Sequence, residues 1–95
     1  MPHLAKVVLN CQTGMHDGLE TLIQSFIRDG VTFVAVTGKD ASLIEDVIDE
    51  LCVGDGSEPY SMLTSSHPDD SLATVVAFAE SLDLEFSGPV EVIEF

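Results

Sequence analysis

The sequence predicts an α/β fold: a small three-layer sandwich in which a four-stranded parallel sheet carries three helices. The main observation is that four apolar, β-branched segments alternate with three segments of helical periodicity. A helix between each two strands is the connection that joins parallel strands by right-handed crossovers. The 95 residues are 45% hydrophobic, which supplies a core for a single domain over residues 1–95. We expect the strand order 2-1-3-4, with the topological switch point between strands 1 and 3.

The first strand and the first helix are predicted from an apolar run and an amphipathic segment. Residues 4–10 contain three successive branched aliphatic side chains, which is typical of a strand buried on both faces. Asp17 is expected to open the helix, with Glu20 as its capping-box partner. Gly30 is expected to end it in a left-handed conformation. The helix has one apolar face, made of Leu19, Leu22, Ile23, Phe26 and Ile27.

The second strand and the second helix repeat this pattern. Residues 31–37 are β-branched and aromatic, which predicts a strand. After a turn, the helix begins at Asp40 or Ser42, where Ser42 and Glu45 form a capping box. Gly54 stops it. Its apolar stripe consists of Leu43, Ile44, Val47, Ile48, Leu51 and Cys52.

The last third of the chain predicts two short strands around a helix. Residues 60–64 form the third strand, and the third helix begins near Asp69 or Asp70. Residues 90–95 form the last strand. This strand carries two acidic side chains, which suit an edge because charge deters pairing with another chain.

Charge excludes several classes of function. The chain has 17 acidic and 3 basic residues and a net charge of −14, and residues 40–95 contain no Lys or Arg. This balance argues against nucleic-acid binding and against docking on an anionic membrane. The acidic surface has two interpretations. One is a solvated face that keeps the protein in solution; the other is a docking surface for a basic protein partner or a divalent cation, or a surface covered in a homo-oligomer.

The sequence also predicts where the protein resides. Its apolar runs are far shorter than the ~20 residues that a membrane span needs. The N-terminus has neither the basic nor the apolar region of an export signal. Two cysteines without an export signal are typical of reduced thiols, so we expect a cytoplasmic protein.

A binding edge is predicted where the strands end. In open α/β sheets, ligands bind at the carboxyl ends of the strands. We expect Asp40 to cap the second helix and His67 to lie within reach of the loop that follows strand 2. The candidate residues follow strand 1 (Cys11, His16, Asp17), strand 2 (Thr37, Lys39, Asp40) and strand 3 (Thr64, His67).

No catalytic arrangement in the sequence reaches motif strength. There is no glycine-rich phosphate loop and no compact metal-ligand spacing, so we predict neither a cofactor nor a metal. Cys11 has two interpretations: a thiol activated by the helix that follows it, or a small apolar residue at a strand end. We therefore interpret the chain as a non-catalytic binding or regulatory module. The alternative is a phosphocarrier or thiol enzyme that uses Cys11 or His67.

Two resemblances add to this interpretation. Residues 34–43, followed by an acidic helix, resemble a family of small bacterial α/β domains of unknown function, in which a strand runs into Gly-[Arg/Lys]-Asp and then Ser. The pattern continues through Met62, Thr64, His67, Asp69, Asp70, Leu72, Phe78 and Ala79. This resemblance implies that Lys39, Asp40, Thr64 and His67 share one edge, and it carries no assigned activity.

The second resemblance is local. Residues 11–15, Cys-Gln-Thr-Gly-Met, resemble the C-x-x-G-M loop of sugar-phosphotransferase IIB subunits. Those proteins are phosphocysteine carriers of similar length with a four-stranded parallel sheet. The resemblance implies a phosphocarrier role for Cys11.

Overall fold

A computed structural model describes residues 3–12, 14, 17–54, 56, 60–82 and 89–95. In these ranges four strands alternate with three helices, and every strand pairing is parallel, including that of the last strand. The predicted α/β alternation is therefore confirmed. The elements are β1 (Lys6–Cys11), α1 (Leu19–Asp29), β2 (Phe33–Gly38), α2 (Ala41–Val53), β3 (Leu63–His67), α3 (Leu72–Glu80) and β4 (Val90–Glu94).

The strand order is 3-2-1-4, so the predicted order 2-1-3-4 is wrong. The physical reason is the composition of the strands. β1 and β2 are continuous apolar runs and are almost wholly buried, which suits the centre of a sheet. β3 has the sequence Leu-Thr-Ser-Ser-His and contains no fully buried residue, which suits an edge. The predicted edge position of β4 is confirmed.

Strand order decides where the helices lie. From β1 to β3 the chain steps in one direction, so right-handed crossovers place α1 and α2 on the same face of the sheet. The return from β3 to β4 reverses the direction and places α3 on the opposite face. Two separate core clusters match these two faces, which confirms the three layers. In the order 2-1-3-4, α1 and α2 would lie on opposite faces.

The two core clusters differ in size. The cluster between the sheet and α1 and α2 includes Val7, Leu9, Cys11, Ile23, Phe26, Val34, Val36, Ile44 and Ile48. The cluster under α3 consists of Val8, Phe33, Ala35, Val75 and Ala79. Alternate strand residues contribute to alternate clusters, as the two-residue period of a strand requires.

The predicted caps of α1 and α2 are wrong. α1 begins at Leu19, so Asp17 precedes the helix, and the N-cap position belongs to Gly18. Asp40 holds the N-cap position of α2, but its side chain makes no capping hydrogen bond. Side-chain capping works from an extended backbone, whereas Gly18 (φ 101°) and Asp40 (φ 60°) are left-handed. Ser42 is already inside α2.

α3 and β3 begin later than predicted. Ser71 caps α3 by accepting a hydrogen bond from the Thr74 N–H at 3.2 Å. β3 covers Leu63–His67 because Tyr60 is held outside the sheet. The Tyr60 N–H donates to the Cys52 carbonyl at 2.7 Å, and its hydroxyl donates to the Val31 carbonyl at 2.6 Å. Tyr60 therefore ties the end of α2 to the start of β2.

Lys6 is an unexpected member of the interior. Its side chain is only 1% exposed, and its Nζ donates to the Ala79 carbonyl oxygen at 2.6 Å. Ala79 lies in the last turn of α3, where a positive charge interacts favourably with the helix dipole. The ammonium group thus anchors α3 to the central strand β1.

Candidate functional site

The sheet divides the predicted binding edge into two groups of side chains. Cys11 and Thr64 face the layer of α1 and α2, whereas Thr37 and His67 lie on the side of α3. The others, Asp17, Lys39 and Asp40, are exposed, and His16 lies outside the described residues.

Cys11 is fully buried at the end of β1. Its Sγ donates to the Leu9 carbonyl oxygen at 3.9 Å. Burial raises the pKa of the Cys11 thiol to about 11, and the negative charge of Asp40 adds to this shift. Because the thiolate is the nucleophilic form, a protonated and enclosed thiol favours the interpretation of Cys11 as an apolar strand-end residue. It gives no support to a phosphocysteine role.

Two glycines close the loops around Cys11. Gly38 (φ 101°) sits so close to β1 that a Cβ there would collide with the backbone carbonyl of Cys11. The Lys39 N–H donates to that same carbonyl at 2.9 Å. Gly14 packs in a similar way against Lys39 and Asp40. Of the described residues in these loops, Gly14 and Gly38 therefore pack closely against their neighbours.

Thr37 and His67 meet as predicted, through the backbone of His67. The two residues are register partners in the pairing of β2 with β3. Thr37 is 2% exposed, and its hydroxyl donates to the carbonyls of His67 at 3.2 Å and Asp70 at 3.0 Å. Thr37 therefore fixes the turn after β3, which is a structural role.

The His67 ring connects two polar side chains. Its Nε2 lies 2.9 Å from the Ser65 Oγ, and its Nδ1 lies 3.2 Å from Asp70 Oδ2. The ring packs against Phe78, with centroids 5.2 Å apart. This is the order of hydrogen bonds in a serine-hydrolase triad. Ser65 and Asp70 were not among the predicted site residues. The spacing of Ser65 and His67, two apart on one strand, could have indicated Ser65.

Thr64 belongs to the other face of the sheet. Its hydroxyl donates to the Asp49 carboxylate of α2 at 2.8 Å. Thr64 and His67 are three residues apart on one strand, so their side chains point to opposite faces. The structure therefore does not bring these two predicted residues together.

A polar cluster at the amino end of the sheet was not predicted from the sequence. The His3 ring lies 3.0 Å from Glu91 Oε2 through Nδ1 and 3.1 Å from the Ser25 Oγ through Nε2. The His3 N–H donates to Asp29 Oδ2 at 3.1 Å, and the Leu4 N–H donates to Glu91 Oε1 at 2.8 Å. This cluster exists because β4 lies beside β1, which the predicted strand order did not include.

Both carboxyls of this cluster favour the ionised form. The backbone N–H of His3 lowers the pKa of Asp29, and Arg28 lowers it further against the opposing effect of burial. Burial alone would raise the pKa of Glu91. The hydrogen bonds from the Leu4 N–H and the His3 ring outweigh it, so the pKa of Glu91 is lowered.

A groove lies between α1 and α2, on the face of the sheet that carries the larger core cluster. It has a volume of about 780 Å³ and extends from the first turn of α1 to the end of α2. We call it the α1–α2 groove. Val47 and Leu51 are half-buried, and Val53 is 52% exposed. The lining combines three aliphatic and three acidic side chains with two uncharged residues: Val47, Leu51, Val53, Glu20, Asp49, Glu50, Gln24 and Gly54.

The described ranges contain neither a metal-binding cluster nor a membrane-spanning helix. No group of three or more His, Cys, Asp and Glu side chains there is arranged to hold a metal ion. Each helix in those ranges is either too short or not apolar enough to cross a bilayer.

Comparison with known proteins identifies a family but no activity. Residues 1–84 match the model of a family described as a domain of unknown function, DUF7684. This match extends from β1 through α3. No curated protein and no solved structure gives a significant match to the chain. Because the matching model spans most of the sequence, the chain belongs to the DUF7684 family of domains of unknown function.

Proposed function

We propose that this protein is a non-catalytic binding module that recognises a basic protein partner through the α1–α2 groove. The proposal rests on the combination of an apolar lining with acidic residues in one groove: Glu20 and Glu50 are exposed, and Asp49 accepts a hydrogen bond from Thr64. Exposed apolar surface bordered by polar groups is typical of interaction sites. Complementary charge speeds encounter and selects partners.

The surroundings of the groove support a cationic partner. The chain has only three Lys and Arg residues. Lys6 is buried beneath α3, and Arg28 pairs with Asp29 at 3.3 Å. The third, Lys39, is exposed in the turn before α2 and is not among the residues that line the groove. The acidic rim of the groove therefore keeps a negative potential that a basic surface would neutralise.

A second copy of this chain is a poorer occupant. Each copy has a net charge of −14, so two acidic faces would repel each other at short range. Light scattering of the full chain would reveal a homo-oligomer if one formed. The two free thiols, Cys11 and Cys52, support a reducing compartment, and we place the module in the cytoplasm.

Mapping by NMR tests the proposal. A short peptide of Lys and Leu is titrated into the ¹⁵N-labelled full chain, and backbone shifts are followed. We expect the largest shifts at Glu20, Gln24 and residues 47–54, and loss of these shifts when Glu20 and Glu50 are both changed to Gln. Shifts spread evenly over all acidic residues, or concentrated around α3, would overturn the proposal.

A second candidate function is acyl transfer at Ser65, favoured by the Ser65–His67–Asp70 chain of hydrogen bonds. With the Nδ1 proton directed to Asp70, His67 Nε2 would accept the Ser65 proton while Oγ attacks a carbonyl carbon. The leaving group would then take that proton. A fluorophosphonate probe tests this: labelling must occur at Ser65 and vanish in both Ser65→Ala and His67→Ala. If the native chain is not labelled, the candidate is excluded.

A further inference from the structure

We infer that the occupant of the α1–α2 groove is a basic amphipathic helix of the partner. This inference rests on the proposed function and specifies the form of the partner. The walls of the groove are two helices, α1 and α2, whose backbone groups between the terminal turns are hydrogen-bonded within each helix. An extended peptide would find no unpaired strand edge there, because its own N–H and C=O groups also need partners. A helix satisfies its own backbone and can bind through side chains alone.

The spacing of the lining residues matches a helix. Val47, Glu50 and Leu51 stand at positions i, i+3 and i+4 of α2, and Gly54, which follows the helix, stands at i+7. They form one face about two turns long, or roughly 10 Å at 1.5 Å per residue. A ridge of side chains spaced three and four apart on a partner helix would interdigitate with such a face.

Among the described residues, none crowds the end of the groove at Gly54. Gly54 follows α2 with φ 60°, and a Cβ built there would meet nothing within 4 Å. Val53 beside it is 52% exposed. Within the described residues, the exposed Val53 and the half-buried Leu51 therefore offer apolar contacts to an anchor of the partner helix.

Charge lies on both walls of the groove. Glu20 stands on α1, while Asp49 and Glu50 stand on α2. A partner helix with one apolar stripe and Lys or Arg on both sides of it would place cations beside both walls. Such a helix keeps its apolar stripe on Val47 and Leu51 at the same time, and this requires helical periodicity in addition to positive charge.

Two peptides of identical composition test the inference. Both have roughly 18 residues of Lys and Leu, long enough for a marginal helix. One places Leu at positions i, i+3, i+4 and i+7, and the other alternates Leu and Lys. Fluorescence anisotropy measures their affinity for the full chain, and circular dichroism measures helix gained on binding.

We expect the helical peptide to bind at least about tenfold more tightly, a difference of ~1.4 kcal/mol, with a saturable gain of helix. Val53→Ser should weaken it several-fold, whereas Val92→Ser, which alters an exposed valine on β4, should not. If the alternating peptide binds equally well, the helix inference is wrong and the basic-partner proposal stands. If neither peptide binds, the helix inference and the basic-partner proposal are both wrong. The same holds if both peptides bind the Glu20→Gln/Glu50→Gln variant as tightly as they bind the native chain.

Discussion

The two faces of the sheet share the same four strands, but different forces hold their helix layers. α1 and α2 bury large side chains such as Ile23, Phe26, Ile44 and Ile48. α3 fully buries only Val75 and Ala79; it is also anchored by the Lys6 ammonium. Apolar packing therefore stabilises the layer of α1 and α2. The second face depends on polar anchors.

The largest expected difference between the faces comes from two phenylalanines. Phe26 of α1 is fully buried, whereas Phe78 of α3 is 40% exposed. We expect Phe26→Ala to lower the free energy of unfolding by ~3–5 kcal/mol, and Phe78→Ala by less than about 2 kcal/mol, because much of its ring remains in water. Urea denaturation measures both values without screening the charges. Equal losses would show that the two faces contribute equally.

Alkaline pH tests the burial of Cys11. A folded pKa raised from 9.0 to about 11 stabilises the fold fully below pH 9, and this contribution is lost as pH rises from 9 to 11. The total change is about 2–3 kcal/mol at most, at 1.36 kcal/mol per pKa unit.

Urea denaturation at pH 8 and pH 11 measures this loss in the native chain and in Cys11→Ala. The native chain should lose more stability than the variant. Cys52→Ala is measured as well: because burial and Asp49 also raise the pKa of Cys52, this variant should also lose less stability than the native chain. In addition, the Cys11 thiol should react more slowly with a disulfide reagent at neutral pH than free cysteine does; faster reaction would restore the thiol-enzyme interpretation.

Lys6 tests the polar anchor of α3. Lys6→Met keeps an unbranched apolar stem but removes the donor to the Ala79 carbonyl. A hydrogen bond from a charged group is worth ~1.5–3 kcal/mol, so we expect a loss of roughly 2 kcal/mol, together with faster amide exchange in α3 than in α2. Lys39→Met, at an exposed position, should change stability by about 0.5 kcal/mol or less. A Lys6→Met variant as stable as the native chain would show that α3 does not need this anchor.

The smallest expected effect is at the amino end of the sheet. Asp29 and Glu91 have lowered pKa values, so each stabilises the fold above its unfolded pKa and loses this contribution as pH falls through its folded pKa. The loss therefore occurs in the acid range, below about pH 4.5. Glu91→Gln should flatten the fall in melting temperature there, relative to the native chain, while Glu80→Gln should not. An unchanged acid profile in Glu91→Gln would contradict the assigned role of Glu91.

Much of the fold could be predicted from the sequence, because alternating periodicities define the elements and charged residues define β4 as an edge. The strand order was missed, although the hydroxyl-rich residues Thr64, Ser65 and Ser66 indicated that β3 is an edge as well. This error had a large consequence: the order 3-2-1-4 places α1 beside α2 and so creates the groove, whereas the predicted order places them on opposite faces.

The candidate site was predicted less well than the fold. Residue type indicated that Cys11 and Thr37 lie near strand ends, but only the three-dimensional structure shows that both are buried. The absence of a side-chain cap at Asp40 depends on a left-handed backbone that no sequence pattern reveals. Conversely, the opposite orientation of Thr64 and His67 follows from simple counting once β3 is placed at Leu63–His67.

If the α1–α2 groove binds a basic partner as proposed, the position of the acidic residues decides the affinity, and the total charge of the chain does not. The most direct measurement compares the affinity of the Lys-Leu helical peptide for two charge-matched double variants, Glu20→Gln/Glu50→Gln in the groove and Asp69→Asn/Glu80→Gln outside it. Each variant removes two of the 17 acidic residues. With each exposed ion pair worth up to ~1 kcal/mol, we predict that the groove variant binds about fivefold to tenfold more weakly and that the other variant binds within about twofold of the native chain. Equal weakening of peptide binding in both variants would show that total charge, and not position in the groove, decides the affinity.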